Sequence, residues 1–316
     1  MNAAVIGCGN IGGFYDTPSS DAILTHAHAF LESNKTKLIA CCDTNRDNLE
    51  KFRNIWGRDI HAYLSVREML QNEKIDIVAI ATNTASHYEI LQEILTNTKI
   101  KYIICEKPFV SNVDEYDKIY TSLHEKSPNL LINFIRCFDP SINKIKKLIE
   151  EEKLGKVLCF SSKVNKGLYH NGSHVLSLVE HLFGEITDFK AMNATIFEDD
   201  AYGSFWMHTK MADGVLTNFN ESEFSLFEME IIFEKGVVKI HKSGFDIKAY
   251  IAKESKKVKG TKELALYKEY PNTLQYYAKN SLSFLLKKNS KEQMESHLKL
   301  SYKLLKIKED LLQGAL

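Results

Sequence analysis

The sequence lacks any C-x-x-C pair among its six cysteines, any excess of one charge, and any internal repeat or low-complexity tract. Lys plus Arg and Asp plus Glu both count 41, so net charge gives no reason to expect a nucleic-acid or membrane-surface partner. One strongly basic stretch, residues 253–262, holds five lysines but no aromatic residue. It reads as a solvated loop or hairpin edge rather than a phosphate track. No apolar run reaches the roughly 20 residues that cross a bilayer. No charged n-region leads into an apolar segment with a cleavage site, so a cytoplasmic location is expected. Most cysteines lie inside apolar, strand-like runs, where a reduced thiol packs as a small hydrophobe; that usage fits a reducing compartment better than a disulfide framework.

What is present is a long globular chain with a change of rhythm. Its 316 residues suit two domains, and hydrophobic residues at 44% with charged ones at 26% exclude a disordered chain. The first third alternates short apolar strands (3–6, 37–43, 61–63, 75–81, 102–106) with helical patterns (22–32, 45–56, 66–71, 86–96, 113–125). Strands separated by helices imply βαβ units and a parallel sheet covered on both faces. A further strand near 130–135 and a helix over 140–152 follow. Strands are then expected at 156–165, 187–197, 203–211, 215–221, 227–233, 237–241 and 245–249. Turns at Ala212-Asp213-Gly214 and Glu234-Lys235-Gly236 break this set, so an antiparallel sheet is predicted. One helix interrupts it at 173–183, and two close the chain at 273–288 and 291–312. The predicted fold class is therefore α/β: a parallel sheet covered on both faces over residues 1–124, then a domain with an antiparallel sheet and helices over 125–316.

Gly7-Cys8-Gly9-Asn10-Ile11-Gly12 matches G-x-G-x-x-G directly after the first strand. The first glycine permits a tight turn, the second lets the backbone approach a pyrophosphate, and the third lets the helix pack against the strand. Alone the pattern is weak, but its place in a βαβ context makes it specific. Asp43 ends the second strand, where an acid can bond the adenosine ribose hydroxyls and repel a 2′-phosphate. It lies further from Gly12 than the usual spacing of about 20 residues; an insertion over residues 15–25 explains the excess. The competing reading of Asp43 is a cap for the helix that follows, and Arg46 nearby keeps NADP open beside NAD.

Cys105-Glu106-Lys107-Pro108 puts Lys107 at a strand's carboxyl end, beside the dinucleotide crevice. A partly desolvated lysine there can donate a proton or hydrogen bond to an alkoxide, and a cis peptide before the proline would fix its direction. A surface lysine in a turn is the plain alternative.

Together with Ala81-Thr82, His87, Asn133-x-x-Arg136-x-Phe138-x-Pro140, Gly172-x-His174 and Leu182-Phe183-Gly184, these motifs resemble the glucose–fructose oxidoreductase, inositol dehydrogenase and rhizopine-catabolism family (Gfo/Idh/MocA) along essentially the whole chain. The resemblance implies a Rossmann doubly wound parallel sheet followed by an α+β domain with an open, mostly antiparallel sheet, a bound nicotinamide cofactor, and sugars, inositols or sugar nucleotides as substrates. It implies that Lys107 touches the reacting hydroxyl, that His174 is a general acid/base, and that Thr82 and Glu106 lie near the nicotinamide and its ribose. Gly7, Gly9, Asn10, Ile11, Gly12, Asp43, Thr82, Asn83, His87 and Glu106 form the expected cofactor set; Arg136, Tyr169 and His170 are expected at the substrate. A homodimer or homotetramer is a further expectation by resemblance alone. The sequence departs from the family pattern where His170 replaces an aspartate, where Ser177 replaces an acid, and where Thr82-Asn83-Thr84 stands for Thr-Pro-Asn. The plain reading of His174 is a polar residue in a helix's first turn, capped by Ser173 or Asn171. His170, His174 and His181 have no Cys or acid to complete a zinc set, so no metal is expected. Two rival functions remain: a non-catalytic NAD-binding sensor or regulator, and an NAD-dependent glycosidase.

Overall fold

The computed structural model describes all residues except 97–99, 199, 222, 288–289 and 315–316. It divides into two compact units, Met1–Ile135 with Gln275–Leu305, and Arg136–Leu274 with Lys306–Leu316.

In the first unit, β1 (Asn2–Ile6), α1 (His26–Glu32), β2 (Lys37–Cys42), α2 (Arg46–Trp56), β3 (His61–Tyr63), α3 (Val66–Asn72), β4 (Ile77–Ile80), α4 (His87–Thr96), β5 (Tyr102–Cys105), α5 (Val113–Lys126) and β6 (Asn129–Ile132) alternate as expected. The six strands form one parallel sheet in the order β3-β2-β1-β4-β5-β6. All four residues of β4 are buried, as a central parallel strand with helices on both faces requires. Strand order reverses between β1 and β4, and in such sheets the crevice at the strands' carboxyl ends is where ligands bind.

The second unit carries α6 (Pro140–Glu150), β7 (Val157–Asn165), α7 (Ser173–Phe183), β8 (Ile186–Phe197), β9 (Asp200–Thr209), β10 (Asp213–Phe219), β11 (Phe227–Phe233), β12 (Gly236–His241), β13 (Asp246–Glu254) and β14 (Lys262–Tyr270). Its eight strands run β14-β13-β12-β11-β7-β10-β9-β8, and every neighbouring pair is antiparallel except β10 with β7. Along β11 buried and half-buried residues alternate strictly, the signature of a sheet covered on one face.

Three differences from the sequence reading have physical causes. The first helix begins at His26 rather than residue 22, because Asp16 holds the backbone N–H groups of Leu24 and Thr25 in a loop and Thr25 caps the helix. Strand β14 was not expected, since its pattern is mostly exposed and charged; it pairs with β13, and the lysine-rich stretch spans the tip of that hairpin. The sequence boundary near residue 124 also differs from the observed division. β6 completes the parallel sheet, and the segment holding α8 (Tyr277–Leu285) returns to the first unit, where Ile23 N–H donates to the Gln275 carbonyl at 2.9 Å. The last helix, α9, spans Ser290–Leu312; the expected helix end at 288 lies outside the described residues. Among the described residues no helix is long and apolar enough to cross a membrane. All six cysteines are free thiols; five are buried, whereas Cys159 on β7 is exposed.

Candidate cofactor site and reactive residues

The carboxyl end of β1 turns sharply at Gly7, whose φ of +92° and close approach to Ala81 leave no space for a side chain. A Cβ on Gly7 would lie 2.7 Å from the Ala81 carbonyl, and one on Gly12 would strike the Gly7 oxygen. Beyond the turn, residues 10–14 form a wide helical turn, closed by Tyr15 N–H donating to the Asn10 carbonyl at 3.0 Å. Trp56 of α2 fixes its far end by donating from Nε1 to the Gly13 carbonyl at 2.8 Å.

Asp43 ties this loop to β2. Its Oδ2 accepts the Cys8 N–H at 2.8 Å, and Oδ1 accepts the Asn45 N–H at 2.8 Å. The cap of α2 is Asn45, whose side chain accepts from Asp47 N–H, so the capping reading of Asp43 does not hold. A cavity of about 620 Å³ opens at the β1/β4 switch point. Gly7, Gly9, Asp43, Thr44, Thr82 and Asn83 are among its walls.

Two features show that these residues fit a dinucleotide. A Cβ on Gly9 would meet nothing within 4 Å, so the loop leaves open space where the backbone must approach a diphosphate. Thr82 Oγ1 is buried without a hydrogen-bond partner, a polar atom awaiting one.

Lys107 is half-buried just past β5, and the Lys107–Pro108 peptide is cis. Both its flanks are anchored. On one side His87, fully buried, sets Nδ1 3.0 Å from the Pro108 carbonyl and 3.1 Å from that of Phe109, while Nε2 lies 3.2 Å from the Thr82 carbonyl. Burial pushes this imidazole below its ordinary range against those bonds. A neutral ring has one N–H and carbonyls only accept, so His87 donates either to the Pro108 and Phe109 carbonyls or to that of Thr82, packed behind these turns rather than lining the cavity. On the other side Glu106 is buried with Oε1 2.9 Å from His26 Nε2, and it accepts from Asn133 Nδ2 at 2.6 Å. Burial opposes its charge, but the bonds from His26 and Asn133, with Lys107 nearby, hold the carboxyl below the usual range.

The second unit holds the remaining candidates. His174 sits buried in the first turn of α7, which has no side-chain cap; Ser173 Oγ donates instead to the His170 carbonyl at 2.9 Å. Before it, Gly167–Gly172 makes a second wide turn, clamped by Asp200 of β9, which accepts the N–H groups of Tyr169 at 2.8 Å and His170 at 3.1 Å. Asp200 went unnoticed in the sequence, and its only signal is an acid opening a strand, where acids are depleted. Burial raises its carboxyl above the ordinary range despite those bonds. Tyr169 is buried and His170 exposed. Arg136, expected at the substrate, is instead buried against the Phe227 ring, its guanidinium carbon 3.6 Å from the centroid, and donates to the Ser243 carbonyl at 3.1 Å. Burial brings its pKa down to about 9. There its flat face packs on the ring and one N–H bonds a backbone carbonyl, while Nε is buried without a hydrogen-bond partner. Among the described residues no three His, Cys, Asp or Glu side chains are grouped to hold a metal.

A parallel sheet ordered 3-2-1-4-5-6, with a glycine-lined cavity and an acid at its switch point, defines a dinucleotide-binding unit. Residues 1–134 match the family described as oxidoreductase family, NAD-binding Rossmann fold (GFO_IDH_MocA). Myo-inositol 2-dehydrogenase of Thermotoga maritima is 24% identical over 217 residues, 64% of this chain and 61% of that protein. The galactose/lactose metabolism regulatory protein GAL80 of Saccharomyces cerevisiae is 25% identical over 174 residues, 53% and 40% of the two chains. The chain spans about half to three-fifths of the length of the curated relatives it matches, 61%, 47% and 52% for three of them. A crystal structure of a 3-ketoreductase from Actinomadura kijaniata, in complex with TDP-benzene and NADP, superposes with a TM-score of 0.75 at 15% identity, covering 98% of this chain and 96% of that one. At that identity the likeness is one of fold.

Proposed function

We propose that this protein moves a hydride between a nicotinamide cofactor and a hydroxyl- or keto-bearing carbon of a sugar, inositol or sugar nucleotide. The observation that carries the reading is Lys107, half-buried at the carboxyl end of the strand beside the switch point and braced on both flanks by buried histidines. When bound, the cofactor supplies the hydride acceptor or donor. Gly7, Gly9, Asn10, Ile11 and Gly12 cradle its diphosphate, Asp43 takes the adenosine ribose, and Thr82 and Asn83 flank the nicotinamide end. Asp43 favours NAD over NADP, since its carboxylate opposes a 2′-phosphate. Lys107 donates a hydrogen bond to the substrate oxygen and steadies it as the alkoxide forms. In the second unit His174 is the candidate general acid/base, and Tyr169 and His170 are candidates for substrate contact. The inositol dehydrogenase among the relatives supports this substrate class.

Exposed apolar residues on the outer strands of the second unit's sheet, Met192, Phe197, Leu264 and Leu266, support assembly into a homodimer or homotetramer. A cytoplasmic setting fits the free thiols.

The direct test is turnover on a panel of free and nucleotide-linked sugars, read by absorbance of the reduced nicotinamide. Lys107→Met should lower kcat by about 10² to 10⁴ while leaving NADH binding near normal. A variant that keeps most of its activity contradicts the assignment. A second reading, a non-catalytic NAD-binding regulator, is favoured by His170 at the family's aspartate position and by the likeness to GAL80. Tight NADH binding with no turnover on the whole panel supports that reading instead.

A further inference from the structure

Glu106 is the residue immediately before Lys107, and its buried carboxylate is reached by two elements distant in sequence. His26 projects from α1 and Asn133 follows β6, and both meet the same oxygen, Oε1. An ionised carboxylate only accepts, so His26 donates from Nε2–H and Asn133 from Nδ2–H. The chain continues outward. Ser281 of α8, fully buried, donates to Asn133 Oδ1 at 2.7 Å and so orients the amide. His26 is itself 1% exposed, and its Nδ1 is buried without a hydrogen-bond partner. A core position that leaves a ring nitrogen unsatisfied costs stability, and leucine or phenylalanine there would avoid that cost. Retaining histidine is explained by the one bond it makes.

We propose that His26 is a positioning residue for Lys107. By holding Glu106 Oε1 together with Asn133, it fixes the near flank of the Lys107 turn, while His87 fixes the far flank. Lys107 is thus aimed by backbone on both sides, and the return segment carrying Ser281 is joined to the same network. The inference rests on the reading that Lys107 meets the reacting oxygen, and it adds how the lysine is held there.

Two substitutions separate aiming from mere packing. His26→Gln keeps an N–H donor that reaches Oε1, whereas His26→Phe fills the space and removes the donor. Lys107 reactivity toward trinitrobenzenesulfonate is measured on cofactor-free protein by peptide mass spectrometry, which needs no turnover. In His26→Phe the Lys107 rate should shift at least about threefold, the size of half a pKa unit, and His26→Gln should restore it. On the panel sugar that turns over, His26→Phe should lower kcat by about tenfold or more at nearly unchanged KM, as loss of orientation does. Should His26→Phe fail to fold, His26→Asn, too short to reach Oε1, takes its place in both measurements. Lys107 labelling in the donor-free variant equal to wild type overturns the inference whatever the turnover shows. Intact turnover in Lys107→Met overturns instead the reading of Lys107 on which it rests.

Discussion

Cys8 and Asp43 are joined by a 2.8 Å hydrogen bond from the Cys8 backbone N–H to Oδ2, which makes the glycine-rich turn and the acid ending β2 one piece. The carboxylate therefore has two tasks under the proposed reading: it shapes the glycine loop, and it would present charge to the ribose of a bound cofactor.

Replacing Asp43 should expose both tasks. Asp43→Ala removes an acceptor from two backbone N–H groups and should weaken NADH binding by about tenfold or more, the worth of a hydrogen bond to a charged group. It should also narrow the preference for NAD over NADP. Fluorescence titration with both reduced cofactors checks this, and unchanged affinities would remove Asp43 from the site.

The glycines of the loop should fail in different ways. Gly7→Ala forces a Cβ to within 2.7 Å of the Ala81 carbonyl at a positive φ, so it should cost roughly 1 to 3 kcal/mol of stability. At Gly9 a Cβ meets nothing within 4 Å, so Gly9→Val should melt like wild type, yet weaken NADH binding because its side chain enters the cavity. Thermal melts beside titrations separate the two; a Gly9→Val protein that binds NADH normally contradicts the placement of the diphosphate.

Acid sensitivity should come partly from His181. Its Nε2 lies 3.0 Å from Asn143 Oδ1, and burial, with Lys146 nearby, pushes its pKa down to about 4. The folded state holds this imidazole neutral, so its stabilising contribution is complete above the unfolded value of about 6.5 and is lost as pH falls towards 4. His87, also lowered by burial, adds in the same direction. Urea denaturation at pH 7 and pH 5 should show His181→Gln losing less stability over that interval than wild type, by roughly 1 to 3 kcal/mol. An equal loss in both proteins contradicts a neutral His181 in the folded state.

Much of the first unit was legible in the sequence because its signals are local. A parallel strand buried on both faces reads as a short apolar run, and a glycine triplet after such a run has few other uses. Asp43 could be placed beside the crevice because it ends a strand, whereas Thr82 and Asn83 were reached only through the family resemblance; all three line the cavity. What the sequence did not disclose depends on contacts between distant segments. His26 and Glu106 are 80 positions apart, and nothing in the run Thr25-His26-Ala27-His28 says which histidine will face a carboxylate. His28 in fact pairs with Asp16 at 3.0 Å. Strand β14 was hidden for another reason: an outer strand with charged side chains lacks the alternation that marks a half-buried one. For Arg136 the motif fixes a place in the chain but not the direction of the side chain, which packs against Phe227.

The central claim is that the glycine-lined cavity of the first unit binds a nicotinamide dinucleotide. Isothermal titration of the intact protein with NADH tests it most directly. One binding event per chain, lost or weakened in Gly9→Val while the melting temperature holds, is the predicted result. Absence of heat with both NADH and NADPH, in protein shown to be folded, would contradict it.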